Sequence, residues 1–196
     1  MNSYIEKLRS HNGRRDYRIE SKLMQQKILG AMSAGDRVLD VGCGASGLYD
    51  DLWEAGVGVY GTDPGLELLQ AHQRGLFVAG TAEGLPFPDQ SFGAAYSMHS
   101  LAHFAKPELG LREIARVLKP DGKLIILTPN ANFERVIGSM KKLLELVGLY
   151  HPDGTVVEHF TPTSLVELIA PYFGEITMSG CGLLGKQRIL IEAWKR

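Results

Sequence analysis

A glycine-rich segment that joins an apolar strand to a helix constrains the fold of this chain more than any other feature. Residues 38–47 read VLDVGCGASG, in which Gly42, Gly44 and Gly47 fit the pattern G-x-G-x-x-G. Glycines at these positions allow a tight turn and let a ligand approach the backbone closely. The pattern alone is weak, and a strand-to-helix turn without a ligand is the alternative explanation.

A carboxylate follows this glycine loop at the end of the next predicted strand. Asp63 lies 21 residues after Gly42, where nucleotide-binding folds place an acidic side chain that accepts hydrogen bonds from both ribose hydroxyls. Because Pro64 follows Asp63, a helix N-cap is the alternative role. The loop and the carboxylate occur together, which favours ribose binding.

Asp40 distinguishes between two classes of ligand. It precedes Gly42 by two residues, so its charge would repel the pyrophosphate of a nicotinamide dinucleotide. It would suit a ligand that has a cationic end and no phosphate. S-adenosylmethionine is such a ligand, since it carries an ammonium group and a sulfonium group.

Strand-like and helix-like segments alternate along most of the chain. The pattern predicts helices at 17–32, 46–55, 65–74, 107–118, 133–147 and 161–169. It predicts strands at 37–41, 57–62, 76–79, 94–98, 123–127, 175–179 and 188–194. This alternation predicts one α/β domain, a doubly wound, mostly parallel sheet with helices on both faces and a terminal hairpin that adds an antiparallel edge.

Composition excludes several other classes of protein. The chain has 196 residues, 21 basic against 22 acidic side chains, and two cysteines. A balanced charge disfavours nucleic acid as a partner, and two cysteines cannot build a disulfide framework. The sequence has no stretch apolar enough for a membrane span and no signal-peptide core at its start, so we expect no membrane association and a cytoplasmic location.

Residues 36–130 resemble the class I S-adenosylmethionine-dependent methyltransferases, in the small-molecule branch of methyltransferase-11 and ubiquinone-biosynthesis-like enzymes. The resemblance rests on VLDVGCGASG, VYGTD, GTAEGLPFPDQSF and REIARVLKPDGKLIILTPN, which occur in the family's order. It implies a Rossmann-like seven-stranded sheet whose last strand is antiparallel, and S-adenosylmethionine as cofactor.

The resemblance also implies roles for particular residues. Asp40 and the backbone of Gly42, Cys43 and Gly44 would surround the methionine end of the cofactor, and Asp63 would hold the ribose. The residues expected around the adenine and along the rest of the pocket are Pro64, Thr81, Ala82, Glu83, Leu85, Ser97 and Met98. Thr81 stands where the family often has an acidic residue, so Glu83 is the expected substitute acceptor. Gly93 stands where an Asp is usual, and we expect a loss of local rigidity there.

Three histidines are candidate catalytic bases: His99, His103 and His159. A base is required only when the acceptor is a phenol or a protonated amine. Each histidine has an alternative role, a hydrogen bond to a loop. No carboxylate pair keeps ligand spacing with them, so we expect no metal site.

Two segments are expected to cover the site. Residues 1–35 would form an N-terminal helical cap, and residues 131–160 a lid that recognises the acceptor.

The leading function implied by the resemblance is methyl transfer to an O, N or C nucleophile of a small molecule by a monomer or homodimer. The alternatives are an RNA or protein methyltransferase, a nicotinamide-dependent oxidoreductase, and a cofactor-binding module without catalysis.

Overall fold

The computed structural model describes residues 15–44, 49–69, 75–135, 158–181 and 187–196. Seven strands form a single sheet in the order β3-β2-β1-β4-β5-β7-β6. The strands are β1 (Arg37–Val41), β2 (Gly58–Asp63), β3 (Leu76–Ala79), β4 (Phe92–Met98), β5 (Leu118–Pro129), β6 (Phe173–Cys181) and β7 (Arg188–Lys195). The helices are α1 (Arg15–Leu29), α2 (Asp50–Glu54), α3 (Leu66–Leu69), α4 (Pro107–Val117) and α5 (Pro162–Ile169).

The direction of the strands confirms the predicted sheet. Strands β1 to β5 are mutually parallel, and β7 runs antiparallel to β5. The terminal hairpin adds the predicted antiparallel edge, with β7 inside the sheet and β6 at the edge. Burial explains the order: β7 has a buried apolar run at Ile189–Ile191, whereas β6 is largely exposed.

Helices cover both faces of the sheet, as the alternating pattern predicts. On one face, α4 and α5 bury Leu111, Ile114, Leu165 and Ile169 in a large apolar cluster. On the other, α1 contributes Met24, Ile28 and neighbouring side chains to a second cluster. No helix among the described residues is long and apolar enough to cross a membrane.

Helix α1 buries only part of its apolar stripe and buries a carboxylate with it. The apolar stripe contains Ile19, Leu23, Met24 and Ile28, of which Met24 and Ile28 are fully buried. Ile19 is 51% exposed, whereas Glu20 is only 4% exposed. Glu20, Met24 and Ile28 recur every fourth residue and therefore share one side of the helix. A carboxylate can be buried there because its oxygens lie close to the ring of His99 and the guanidinium of Arg188.

Several predicted segments lie partly outside the described residues. The predicted helices 46–55, 65–74 and 133–147 are described only at 49–55, 65–69 and 133–135, and residues 131–135 are helical. Most of the predicted lid, 136–157, and the first 14 residues of the N-terminal cap also lie outside the described residues. The division of the chain into a cap, a domain and a lid stays a prediction.

The glycine loop is packed tightly at one of its glycines and is open at another. Gly42 has φ +79°, and a Cβ added there would overlap Ser100. Gly44 has φ +51°, but an added Cβ would meet no described atom within 4 Å. The first position therefore requires glycine for both conformation and space, and the second for conformation only.

This difference predicts unequal effects of two alanine substitutions on the free energy of unfolding. Gly44→Ala should destabilise by about 1 kcal/mol, because a left-handed backbone is strained with a side chain. Gly42→Ala should cost about 1–3 kcal/mol more, because its methyl group must displace Ser100. Urea unfolding of both variants measures the difference, and equal losses of stability would contradict the packing described here.

Candidate functional site

The candidate site lies where the strand order reverses. Strand β1 pairs with β2 on one side and β4 on the other, so the connections after these strands leave in opposite directions. Ligands of open α/β sheets bind at such a switch point, beyond the carboxyl ends of the strands. The glycine loop, Asp63 and Ser97–Ser100 follow or end these strands and meet there.

The backbone of the glycine loop is fixed from both neighbouring strands. The amides of Gly42 and Cys43 donate to the carbonyl oxygen of Thr62 at 2.8 and 3.1 Å. From the other side, the Ser100 hydroxyl donates to the carbonyl oxygen of Val41. These contacts hold the loop in its turn and leave the space beside Gly44 open among the described residues.

The Asp63 carboxylate lies against the glycine loop, as the spacing predicts. Its Oδ2 accepts a hydrogen bond from the Gly44 amide at 2.9 Å, and its Oδ1 accepts one from the Gly65 amide at 2.8 Å. The bond to Gly65 corresponds to the local capping role considered as an alternative, and the bond to Gly44 joins β2 to the loop. Asp63 therefore has a structural role, which does not exclude ribose binding because each oxygen can accept more than one hydrogen bond.

Asp40 is a buried carboxylate at the same corner. Its Oδ2 accepts a hydrogen bond from the Tyr49 hydroxyl at 2.9 Å. Burial raises the pKa of Asp40 to about 7; hydrogen bonds from Tyr96 and Tyr49 oppose the rise, and the charge of Asp63 adds to it. Asp40 therefore changes its charge near neutral pH.

The two carboxylates have no basic partner within the part of the chain that the structure describes. The described ion pairs all lie elsewhere in the fold, and neither Asp40 nor Asp63 takes part in one. The charge of Asp63 is close enough to raise the pKa of Asp40, so the local potential is negative when both carboxylates are ionised. The corner is thus chemically suited to a cation.

The loop after β3, which carries the predicted residues Thr81 and Ala82, begins beside Asp63. Ala79 pairs with Asp63, and the Gly80 amide donates to the Asp63 carbonyl oxygen at 3.1 Å. Next along the loop, Thr81 is exposed and Ala82 is buried. This loop therefore lies next to the predicted ribose position, where the resemblance places the adenine.

The Glu83 carboxylate is engaged with the start of α4. Its Oε1 accepts the Lys106 amide at 3.0 Å. Burial raises the pKa of Glu83, but hydrogen bonds from backbone amides and from the Thr81 hydroxyl outweigh it, so the pKa lies below its ordinary value. The role of Glu83 as an adenine acceptor stays a prediction, and this carboxylate would have to serve both partners.

Two charged residues of α4 hold the proline-rich loop, residues 85–89, in place. Arg116 donates to the carbonyl oxygens of Leu85 and Phe87 at 3.0 and 2.9 Å. Glu113 accepts the Leu85 amide at 3.1 Å and pairs with Arg116. Leu85 is buried in the first apolar cluster, so its position beside the predicted adenine site is set by α4.

The end of β4 closes the other side of the corner. Ser97 is fully buried, and its hydroxyl lies 2.7 Å from that of Ser100, which itself contacts the glycine loop. Met98 is half-buried against the second apolar cluster. Pro64, at the opposite side after β2, is exposed. Ser97 therefore lies next to the residue that contacts the glycine loop, and the role of Ser97 and Met98 in lining a cofactor pocket stays a prediction.

The three candidate histidines occupy different environments. His99 directly follows β4 and has φ +60°, an uncommon conformation for a residue with a side chain. Its Nε2 lies 2.6 Å from Oε2 of Glu20 on α1. His103 and His159 are exposed on adjacent loops, which are joined by a hydrogen bond from the Glu158 amide to the Ala102 carbonyl oxygen at 3.1 Å.

Sequence reasoning missed several residues of this region. Tyr49 and Ser100 carry no recognisable pattern, because their roles depend on contacts between different strands and loops. Glu20 shares a helix face with Met24 and Ile28, four and eight residues further on, but this spacing alone does not predict that the carboxylate is buried. Among the described residues, no group of three or more His, Cys, Asp or Glu side chains is arranged to hold a metal ion.

Comparisons with known proteins agree with this arrangement. Residues 39–126 match the model of the Methyltransf_11 family, described as a methyltransferase domain. A demethylmenaquinone methyltransferase of Corynebacterium kroppenstedtii is 39% identical over 94 residues, which are 47% of this chain and 41% of that protein. An uncharacterized methyltransferase of Mycobacterium bovis is 32% identical over 160 residues, which are 70% of this chain and 65% of that protein. The chain therefore spans less than two thirds of the length of either relative.

The fold is also that of a known structure. An S-adenosylmethionine-dependent methyltransferase of Thermotoga maritima, described as a possible histamine N-methyltransferase, is similar with a TM-score of 0.70 and 18% identity. The similarity covers 99% of this chain and 97% of that one and concerns the fold alone. The family match and the two relatives support a class I S-adenosylmethionine-dependent methyltransferase of the ubiquinone-biosynthesis-like branch.

Proposed function

We propose that the protein transfers a methyl group from S-adenosylmethionine to a nucleophilic atom of a small molecule. The observation that carries this proposal is the pair of buried carboxylates, Asp40 and Asp63, without a basic partner among the described residues. A cationic ligand would supply the missing positive charge. The family supplies the same cofactor independently.

The described residues fit this cofactor in shape and in charge. No described atom lies within 4 Å of a Cβ added at Gly44, which leaves room among the described residues for a ligand against the loop. Asp40 would face the ammonium group of the methionine end, Asp63 the ribose hydroxyls, and the loop Thr81–Leu85 the adenine. A nicotinamide dinucleotide fits less well, because its pyrophosphate would lie near the two carboxylates.

Methyl transfer from S-adenosylmethionine requires little acid–base catalysis by the protein. When bound, S-adenosylmethionine supplies a methyl group on a positively charged sulfur, which keeps the electron pair of the broken carbon–sulfur bond. The chain must orient the acceptor in line with that methyl group and exclude water, and orientation alone can contribute about 7–11 kcal/mol. A base is needed in addition when the attacking atom carries a proton.

His99 is the strongest of the three candidate bases. It follows β4 directly, and the next residue, Ser100, contacts the glycine loop. It is half-buried and has a charged partner, whereas His103 and His159 are exposed. We therefore assign the proton-accepting role to His99 and keep the other two as alternatives for an acceptor that enters over their loops.

A small-molecule acceptor is supported by one relative and by the charge of the chain. The similar Corynebacterium protein acts on demethylmenaquinone, as its name states. The net charge of −1 disfavours RNA as the acceptor, because proteins that bind RNA strongly usually carry an excess of basic residues. Methylation of RNA or protein and cofactor binding without catalysis are the competing functions.

Calorimetric titration with S-adenosylhomocysteine and with NADH tests the choice of cofactor. We expect micromolar binding of S-adenosylhomocysteine and no measurable binding of NADH. Formation of S-adenosylhomocysteine from S-adenosylmethionine is then measured with 1,4-dihydroxynaphthalene, catechol and histamine as acceptors. Turnover with at least one acceptor supports the proposal. NADH binding alone, or methyl incorporation into RNA or protein only, contradicts it.

Asp63→Asn should weaken S-adenosylhomocysteine binding by about tenfold to a hundredfold, because hydrogen bonds to a charged acceptor contribute about 1.5–3 kcal/mol. The amide still offers one oxygen acceptor, so loop geometry is disturbed less than by alanine. Asp36→Asn is the matched control, since Asp36 accepts the Ser33 amide at 2.7 Å in an exposed turn. Equal affinities of the two variants would remove Asp63 from the ribose role.

Binding should depend on pH through Asp40. Its pKa is raised to about 7, and a nearby cation favours the ionised form, so affinity falls as pH decreases through 7. If only the ionised form binds, S-adenosylhomocysteine should bind about tenfold more weakly at pH 6 than at pH 8. Asp40→Asn should bind weakly with little dependence on pH, and an unchanged pH dependence in this variant would exclude Asp40 as its source.

A further inference from the structure

Glu20, a buried carboxylate on α1, contacts the ring of His99, the residue that directly follows β4. Glu20 lies on α1, 79 residues before His99 in the sequence, and only 5% of its side chain is exposed. Its Oε2 lies 2.6 Å from Nε2 of His99, and its Oε1 lies 3.1 Å from Nε of Arg188 at the start of β7. Glu20 thus links α1, the residue after β4 and the start of β7 at the end of the sheet where the glycine loop lies.

The chemistry of this contact fixes the protonation pattern of the imidazole ring. An ionised carboxylate only accepts hydrogen bonds, and the guanidinium of Arg188 favours ionised Glu20. The Nε2 atom of His99 must therefore carry the hydrogen of the short contact. In the neutral ring, the lone pair that can accept a proton is then on Nδ1.

The backbone of His99 is held as firmly as its ring. Its amide donates to the Leu127 carbonyl oxygen at 2.8 Å, although φ is +60°. A residue with a side chain persists in this conformation when its surroundings fix it, and such positions are frequent at functional sites. Ser100, the next residue, donates to the carbonyl oxygen of Val41 beside Gly42. Any displacement of His99 would therefore be transmitted to the glycine loop.

We propose that Glu20 is a positioning residue that fixes the Nε2–H tautomer and the orientation of His99, so that Nδ1 accepts the proton of the methyl acceptor. This inference rests on the proposed function. The acceptor's lone pair forms the new bond to carbon as the carbon–sulfur bond breaks and its electron pair stays on sulfur. The acceptor's proton moves to Nδ1, and the resulting imidazolium is stabilised by the negative charge of Glu20. Arg188 keeps Glu20 ionised and in place, and Cys181 is the other titratable group influenced by this pair.

A matched pair of variants separates positioning from simple anchoring of α1. Glu20→Gln removes the charge beside His99, with Glu20→Asp as the conservative variant. Glu192→Gln is the control, because Glu192 also ties α1 to β7, through Lys27 at 2.6 Å, and does not contact His99. If Glu20 only anchors the helix, the two glutamine variants should behave alike.

Nitrogen-15 NMR of the histidine rings, with S-adenosylhomocysteine bound, tests the tautomer directly. The signals of His99 are identified by their loss in His99→Gln. We expect a protected Nε2–H in the wild type and in Glu192→Gln, and mixed tautomers with rapid solvent exchange in Glu20→Gln. An unprotected ring in the wild type, or an unchanged pattern in Glu20→Gln, overturns the proposal.

Turnover of 1,4-dihydroxynaphthalene, or of whichever panel acceptor is methylated, tests the consequence for catalysis. Glu20→Gln should lower kcat about tenfold or more, with the acceptor KM and the S-adenosylhomocysteine affinity within about threefold of wild type, and Glu20→Asp should recover part of the loss. Equal kcat values for Glu20→Gln and Glu192→Gln overturn the proposal. If the wild-type protein methylates none of the acceptors, that result counts against the proposed function, while the NMR pattern still decides whether Glu20 positions His99.

Discussion

Two carboxylates withdrawn from water at one corner of the sheet are the constraint on which the rest of this site depends. Asp40 and Asp63 lie near the ends of neighbouring strands because β1 and β2 pair in parallel register, with Val41 opposite Thr62. Hydroxyl groups and backbone amides satisfy them, but no described basic side chain neutralises them. Binding of a cation at this corner would offset the free-energy cost of burying the two carboxylates.

The same corner explains why the surrounding loops are tied so closely to one another. Gly42 leaves space for Ser100, Ser100 binds the strand end before the glycine loop, and His99 beside it reaches Glu20 on the N-terminal helix. Contacts therefore connect the glycine loop, the candidate base His99 and α1. Under the proposed function, a change in the packing of α1 would alter the positions of the candidate base and of the glycine loop.

Much of the fold could be predicted because local patterns and long-range packing agree. The apolar run before Gly42 gave β1 with its observed bounds, Arg37–Val41, and Leu76–Ala79 was predicted equally well. Asp63 and the glycine loop could be placed together because parallel strands bring their carboxyl ends to one edge. The burial of Glu20 could not be predicted, since it depends on Arg188, a partner far away in the sequence. The same holds for Tyr49, whose contact with Asp40 requires the folded loop.

A thermodynamic cycle between Asp40 and the ligand tests the central claim, recognition of a cation by this corner, most directly. The affinities of S-adenosylhomocysteine and of its analogue without the amino group are measured by calorimetry for the wild type and for Asp40→Asn at pH 8. We predict that loss of the amino group weakens binding by about tenfold or more in the wild type and hardly at all in the variant. The same loss in both proteins would contradict the account.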